Sequence, residues 1–155
     1  TGSDAEVAAL MKSLTETGSY TVRPETLKTI QESFGCGWSG EEEVAGEIRA
    51  RYEQDGYLCD THTAVAFHVA GRHKREGVPM VVLSTASPYK FPAAVLGALG
   101  EKTGSDEFAM MEQLHALTGT DIPANLRGLE GRPVRHRDVI DTGDMLNYVL
   151  SDVLK

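Results

Sequence analysis

Cysteine is scarce: Cys36 and Cys59 are the only two in 155 residues. They form no Cys-x-x-Cys pair, which argues against a zinc ribbon or a thioredoxin-like motif. Two structural thiols suit a reducing cytoplasm, where the protein is expected to reside. Positive charge is scarce too. Fifteen Lys and Arg stand against 23 Asp and Glu, a net charge of −8. That sign disfavours non-specific nucleic-acid binding and docking on anionic membranes. No apolar run nears the ~20 residues that cross a bilayer, and no basic-then-apolar start suggests a signal peptide. Gly-x-Gly-x-x-Gly, Gly-x-Ser-x-Gly and His-Glu-x-x-His are all missing. No two of the five histidines stand four residues apart, so no helical metal site is expected.

What is present is ordinary for a folded domain. Hydrophobic residues make up 41% and charged residues 25%, and a chain this long can bury roughly 70% of its unfolded surface. Neither a repeat nor a low-complexity linker divides it, so residues 1–155 read as a single segment with no internal boundary.

Helix signals recur along the chain. Ser3-Asp4-Ala5-Glu6 has capping-box spacing, Val7, Leu10, Met11 and Leu14 follow at helical intervals, and Gly18 stops the run. Pro24 can open a helix over 24–34. Residues 35–40 form a glycine-rich hinge. Ser39-Gly40-Glu41-Glu42 reads as a second capping box, with Glu41, Glu42 and Glu43 as a solvated first turn and Val44, Ile48 and Tyr52 as the buried stripe. Asp60-Thr61 precedes a stretch from His62 to Arg75 that is apolar on more than one face, the pattern of a helix packed on both sides. Further helices are expected around 91–99, after a Ser105 cap with Gly119 at its end, and over 142–155.

Between these, Val78 to Ala86 is a continuous, β-branched apolar run that reads as a buried parallel-type strand over about 80–85. One strong strand flanked by about six helices gives an α/β, helix-rich class. A lone strand has no ladder partners, so its neighbours are expected in sequence outside this chain.

Ligands of open α/β sheets bind beyond the carboxyl ends of strands. That end is Ser84-Thr85-Ala86-Ser87-Pro88-Tyr89-Lys90-Phe91, whose hydroxyls and lysine suit a polar ring edge or a phosphate, or merely cap the next helix. His62, at the start of a buried helix, could add its donors to an anion site or simply satisfy local backbone groups. His115 and His136 read as surface residues, and Arg132, Arg135 and Arg137 as a small solvated cluster. No Ser-His-Asp or Cys-His arrangement assembles. The residue types suggest part of a binding site without its reactive group.

Two blocks resemble a known family. Asp60-Thr61-His62-Thr63-Ala64-Val65-Ala66 resembles the Asp-Pro-His-Thr-Ala-Val block of threonine synthases. Val81-Val82-Leu83-Ser84-Thr85-Ala86-Ser87-Pro88-Tyr89-Lys90-Phe91-Pro92 resembles their Ser-Thr-Ala-His/Ser-Pro-x-Lys-Phe block. Tyr52 and Gly56-Tyr57-Leu58 also match, and the order holds from about residue 5 to the end. The resemblance implies a C-terminal fragment of a pyridoxal-phosphate lyase of the tryptophan-synthase-β fold type. Such enzymes convert O-phospho-L-homoserine and water to L-threonine and phosphate. The first residue, Thr1 rather than methionine, fits an excised segment.

It further implies that Thr85 partners the cofactor's pyridine nitrogen, with Ser84 and Ala86 flanking the ring. His62 and Lys90 would be substrate or phosphate neighbours. No catalytic residue and no metal ligand is expected in this fragment, because the family's Schiff-base lysine lies far upstream and Lys90 belongs to a different motif. The isolated chain should then bind no pyridoxal phosphate and be inactive. Its expected partners are the remainder of the same enzyme chain, the small-molecule substrate, and other copies of itself through exposed apolar surface. Thr61 replaces the family's proline, and Ser87 stands where many members have histidine. A free-standing, non-catalytic binding domain derived from such an enzyme is the alternative.

Overall fold

A computed structural model describes residues 1–153. Eight α-helices follow one another: α1 Asp4–Thr17, α2 Pro24–Ser33, α3 Glu41–Asp55, α4 Thr61–His73, α5 Pro92–Ala98, α6 Glu107–Thr118, α7 Ala124–Arg127 and α8 Met145–Val153. Single 3-10 turns occupy Pro88–Lys90 and Thr142–Asp144. No helix is long and apolar enough to cross a membrane among the described residues.

Local signals explain most boundaries. Ser3 caps α1 by accepting from Glu6 N at 3.3 Å, and Gly18 closes it in the left-handed region at φ 77°. Pro24 opens α2, and Arg23 ties that start to α1 through a two-pronged pair with Glu6 at 2.9 and 2.6 Å. Two caps shift by one residue. α3 begins after Gly40, whose amide donates to Glu43 at 2.8 Å, while the Ser39 hydroxyl is buried without a partner. α6 begins after Asp106 rather than Ser105, because a carboxylate there accepts from both Phe108 N and Ala109 N. The closing helix is preceded by the Thr142–Asp144 turn, and residues 154–155 lie outside the described range.

The core belongs to the middle of the chain. α3 packs on α4 and α5, and α5 packs on α6. Ile48, Val95, Leu96 and Leu114 are its fully buried large side chains, with Met110, Met111 and Ile122 around them. Although α5 has only seven residues, it buries four, Pro92, Val95, Leu96 and Ala98. Arg49 of α3 donates to the Ala98 carbonyl at 2.8 Å, satisfying an acceptor at the end of α5. α4 is less enclosed than its apolar pattern suggests: Thr63 and Ala64 are buried, and Val65 to Ala70 are half-buried. α1, α2 and α8 bury no residue.

The hinge before α3 lies directly on α4. A Cβ at Gly35 would meet the His73 ring at 2.8 Å, and one at Gly37 would meet Val69 at 2.9 Å. Glycine is what permits that approach.

The expected α/β class is overturned. The described residues contain no β-strand, and the segment expected as a strand over 80–85 is irregular and largely exposed. Val81 is 78% and Leu83 74% exposed. The apolar, β-branched pattern is real, but a strand is a paired object, and no other segment described here offers a ladder to it. Among the described residues eight helices stand where about six were expected; the one that no sequence signal marked is the four-residue α7, too short for periodicity to show.

Candidate functional site

Asp60 is where the site is built. Its side chain is fully buried and caps α4, with Oδ1 accepting from His62 N at 2.9 Å and Thr63 N at 3.3 Å. Oδ2 accepts a hydrogen bond from the Thr63 hydroxyl. Burial pushes this carboxyl up. The donors from Thr63 and His62 outweigh that effect and hold it below the usual carboxylate range. Beside it, burial and the Asp60 charge push the Cys59 thiol up to about 11, so it is an inert buried thiol. Cys36 is a free, exposed thiol.

The two sequence blocks meet here. The Thr63 hydroxyl lies 3.5 Å from Ser84 Oγ. The His62 ring packs on Phe91, with centroids 5.0 Å apart and planes tilted by 49°. His62 Nδ1 stands 3.2 Å from Asp60 Oδ1 and 3.4 Å from Thr61 Oγ1. Beyond Ser84, Thr85 is exposed and Ala86 half-buried. Ser87 accepts from Tyr89 N at 3.3 Å and so starts the 3-10 turn that carries Lys90, whose side chain is exposed. Tyr89 anchors the turn from below: it is buried, and its hydroxyl donates to the Thr120 carbonyl at 2.6 Å.

Thus His62 and Ser84 are brought together through Asp60 and Thr63. Thr85 and Ala86 follow on the extended chain, and Lys90 stands one residue before Phe91 on the adjoining turn. Reading the sequence missed the buried Asp60 and the His62–Phe91 contact. The Asp-Thr-His-Thr order signals a helix cap, but no local pattern says that the cap is buried. His115, expected on the surface, is half-buried, with Nδ1 2.6 Å from the Thr120 carbonyl. His136 and the three C-terminal arginines are exposed.

Comparison with known proteins bears on the same region. The family described as threonine synthase, C-terminal, matches residues 63–148. The chain belongs to the threonine synthase family. It is similar to the threonine synthase of Methylobacillus glycogenes, 35% identical over 108 residues, covering 70% of this chain and 19% of that protein. It is also similar to threonine synthase-like 1 of Mus musculus, 34% identical over 95 residues, covering 59% of this chain and 13% of the relative. Among solved structures, the pyridoxal-phosphate-bound threonine synthase from Brucella melitensis matches with a TM-score of 0.60 and 37% identity, over 70% of this chain and 24% of the other. The chain therefore spans between an eighth and a fifth of these two curated threonine synthase relatives.

Proposed function

We propose that this chain is the C-terminal part of a threonine synthase, a single segment over 1–155, and that it supplies one wall of the pyridoxal-phosphate site. The intact enzyme would convert O-phospho-L-homoserine and water to L-threonine and phosphate in the cytoplasm. The observation that carries this reading is the convergence of the two blocks: Asp60, His62 and Thr63 meet Ser84 and Phe91 within one cluster.

The residues present fit the cofactor. Thr85 offers an exposed hydroxyl, which can both donate and accept, and residues 81–92 contain no carboxylate. A hydroxyl partner leaves a pyridine nitrogen largely unprotonated, whereas an aspartate would hold it as pyridinium. When bound, pyridoxal phosphate supplies the electron sink. Thr85 would bind its ring nitrogen, with Ser84 and Ala86 flanking the ring. His62 and Lys90 would face the substrate. Lys90 is carried on the 3-10 turn of the second block, so we assign it no covalent attachment. Without the upstream segment the chain should form no covalent cofactor adduct and be inactive. Its exposed apolar run at Val81 and Leu83 is the surface we assign to the rest of the enzyme, or to self-association when that rest is missing.

Thr85→Ala in the longer enzyme tests this. The bound cofactor's absorption spectrum should shift, and turnover should fall about tenfold, the ~1.4 kcal/mol of one hydrogen bond. An unaltered spectrum and rate would remove Thr85 from the cofactor site.

A further inference from the structure

We propose that Asp60 is a positioning residue that holds His62 as its Nδ1–H tautomer, leaving His62 Nε2 as the proton-accepting atom where the two blocks meet. The part of this inference that concerns catalysis rests on the reading given above; the tautomer does not.

A capping aspartate needs only the two main-chain donors of the first turn. Asp60 does more. The oxygen that accepts from His62 N and Thr63 N also faces His62 Nδ1 at 3.2 Å. Thr63 engages the other oxygen and ties it to Ser84. An ionised carboxylate can only accept, so the proton in the Asp60–His62 contact belongs to Nδ1. Thr61 Oγ1, 3.4 Å from the same nitrogen, adds a second acceptor. Phe91 fixes the ring from the side. The imidazole itself is 63% exposed, against 0% for the carboxylate that orients it. Nδ1 is therefore occupied, and Nε2 carries the free lone pair.

The chemistry balances simply. A protic donor, a water or a substrate hydroxyl, passes one proton to the Nε2 lone pair, and its oxygen keeps the bonding electrons. The resulting imidazolium stays paired with Asp60, an arrangement in which the carboxylate both orients and stabilises the ring.

Long-range proton–nitrogen spectra of the 155-residue chain, recorded as pH is raised until the His62 signals stop moving, read the neutral ring's tautomer directly. The wild-type chain should show Nδ1–H at His62. Asp60→Ser keeps a capping oxygen for the main-chain amides but is one atom shorter and uncharged, so it no longer reaches Nδ1, and the population should move toward Nε2–H with the helical circular dichroism retained. An Nε2–H tautomer in the wild type, or an unchanged one in Asp60→Ser, overturns the inference. In the longer enzyme, His62→Gln and Asp60→Ser should each lower kcat at least tenfold with KM little changed, and the double variant should fall no further than His62→Gln alone. Unchanged kcat in His62→Gln, or full additivity, would also overturn it. The tautomer is read without cofactor, so it can hold even if Thr85→Ala leaves the cofactor spectrum unchanged.

Discussion

Asp60 concentrates in one carboxylate the cap of α4, the partner of a buried hydroxyl and the orientation of His62. Replacing it by alanine removes the cap, worth about 1 kcal/mol. It also strands the buried Thr63 hydroxyl, at about 1–3 kcal/mol. Asp60→Ala should therefore lower unfolding stability by about 2–4 kcal/mol in urea titrations, and Asp60→Asn by less. The effect depends on pH in a defined direction. The folded carboxyl lies below its ordinary value, so its stabilisation is complete above the unfolded pKa of about 3.9 and is lost as pH falls through the lower folded value. The gap between wild type and Asp60→Ala should accordingly close only under acid conditions, and a gap that held constant down to about pH 2 would contradict the assignment. The cap itself is legible in the residue order. Its burial is not, because burial is set by tertiary packing, such as the contact of Thr63 with Ser84, 21 residues further along the chain.

At the scale of elements, helices were readable because their signals are local. Ser3 and Gly18 bracket α1, and Gly119 ends α6 in the left-handed region at φ 67°. The segment at 80–85 misled for the opposite reason. Its apolar, β-branched composition describes a surface that suits a sheet, but pairing is non-local and no partner is described in this chain. The energetic weight of the helices is just as uneven. Leu114 of α6 is fully buried, and Leu146 of α8 is 69% exposed. Leu114→Ala should cost about 2–5 kcal/mol, and Leu146→Ala no more than about 0.5 kcal/mol. Equal losses in thermal or urea unfolding would mean that α8 packs more deeply than its exposure indicates.

For the molecule as a whole, the family was visible in the residue order, while the α/β class was not. The blocks announce themselves through residue identity and spacing. The fold class depended on pairing that this stretch, spanning 13% to 19% of the two curated threonine synthase relatives, does not contain. The unpaired run after α4 has one more consequence. Exposed, irregular backbone is where proteases cut first, and Val81 and Leu83 suit an enzyme that prefers apolar residues. A single nick there would divide the site, with Asp60, His62 and Thr63 on one piece and Ser84, Thr85 and Phe91 on the other. The pieces should not part, because α3 on the first grips α5 on the second and Arg49 still donates to Ala98. Denaturing gels should then show two bands where size exclusion shows one particle, and separately produced halves, 1–80 and 81–155, should reassemble when mixed.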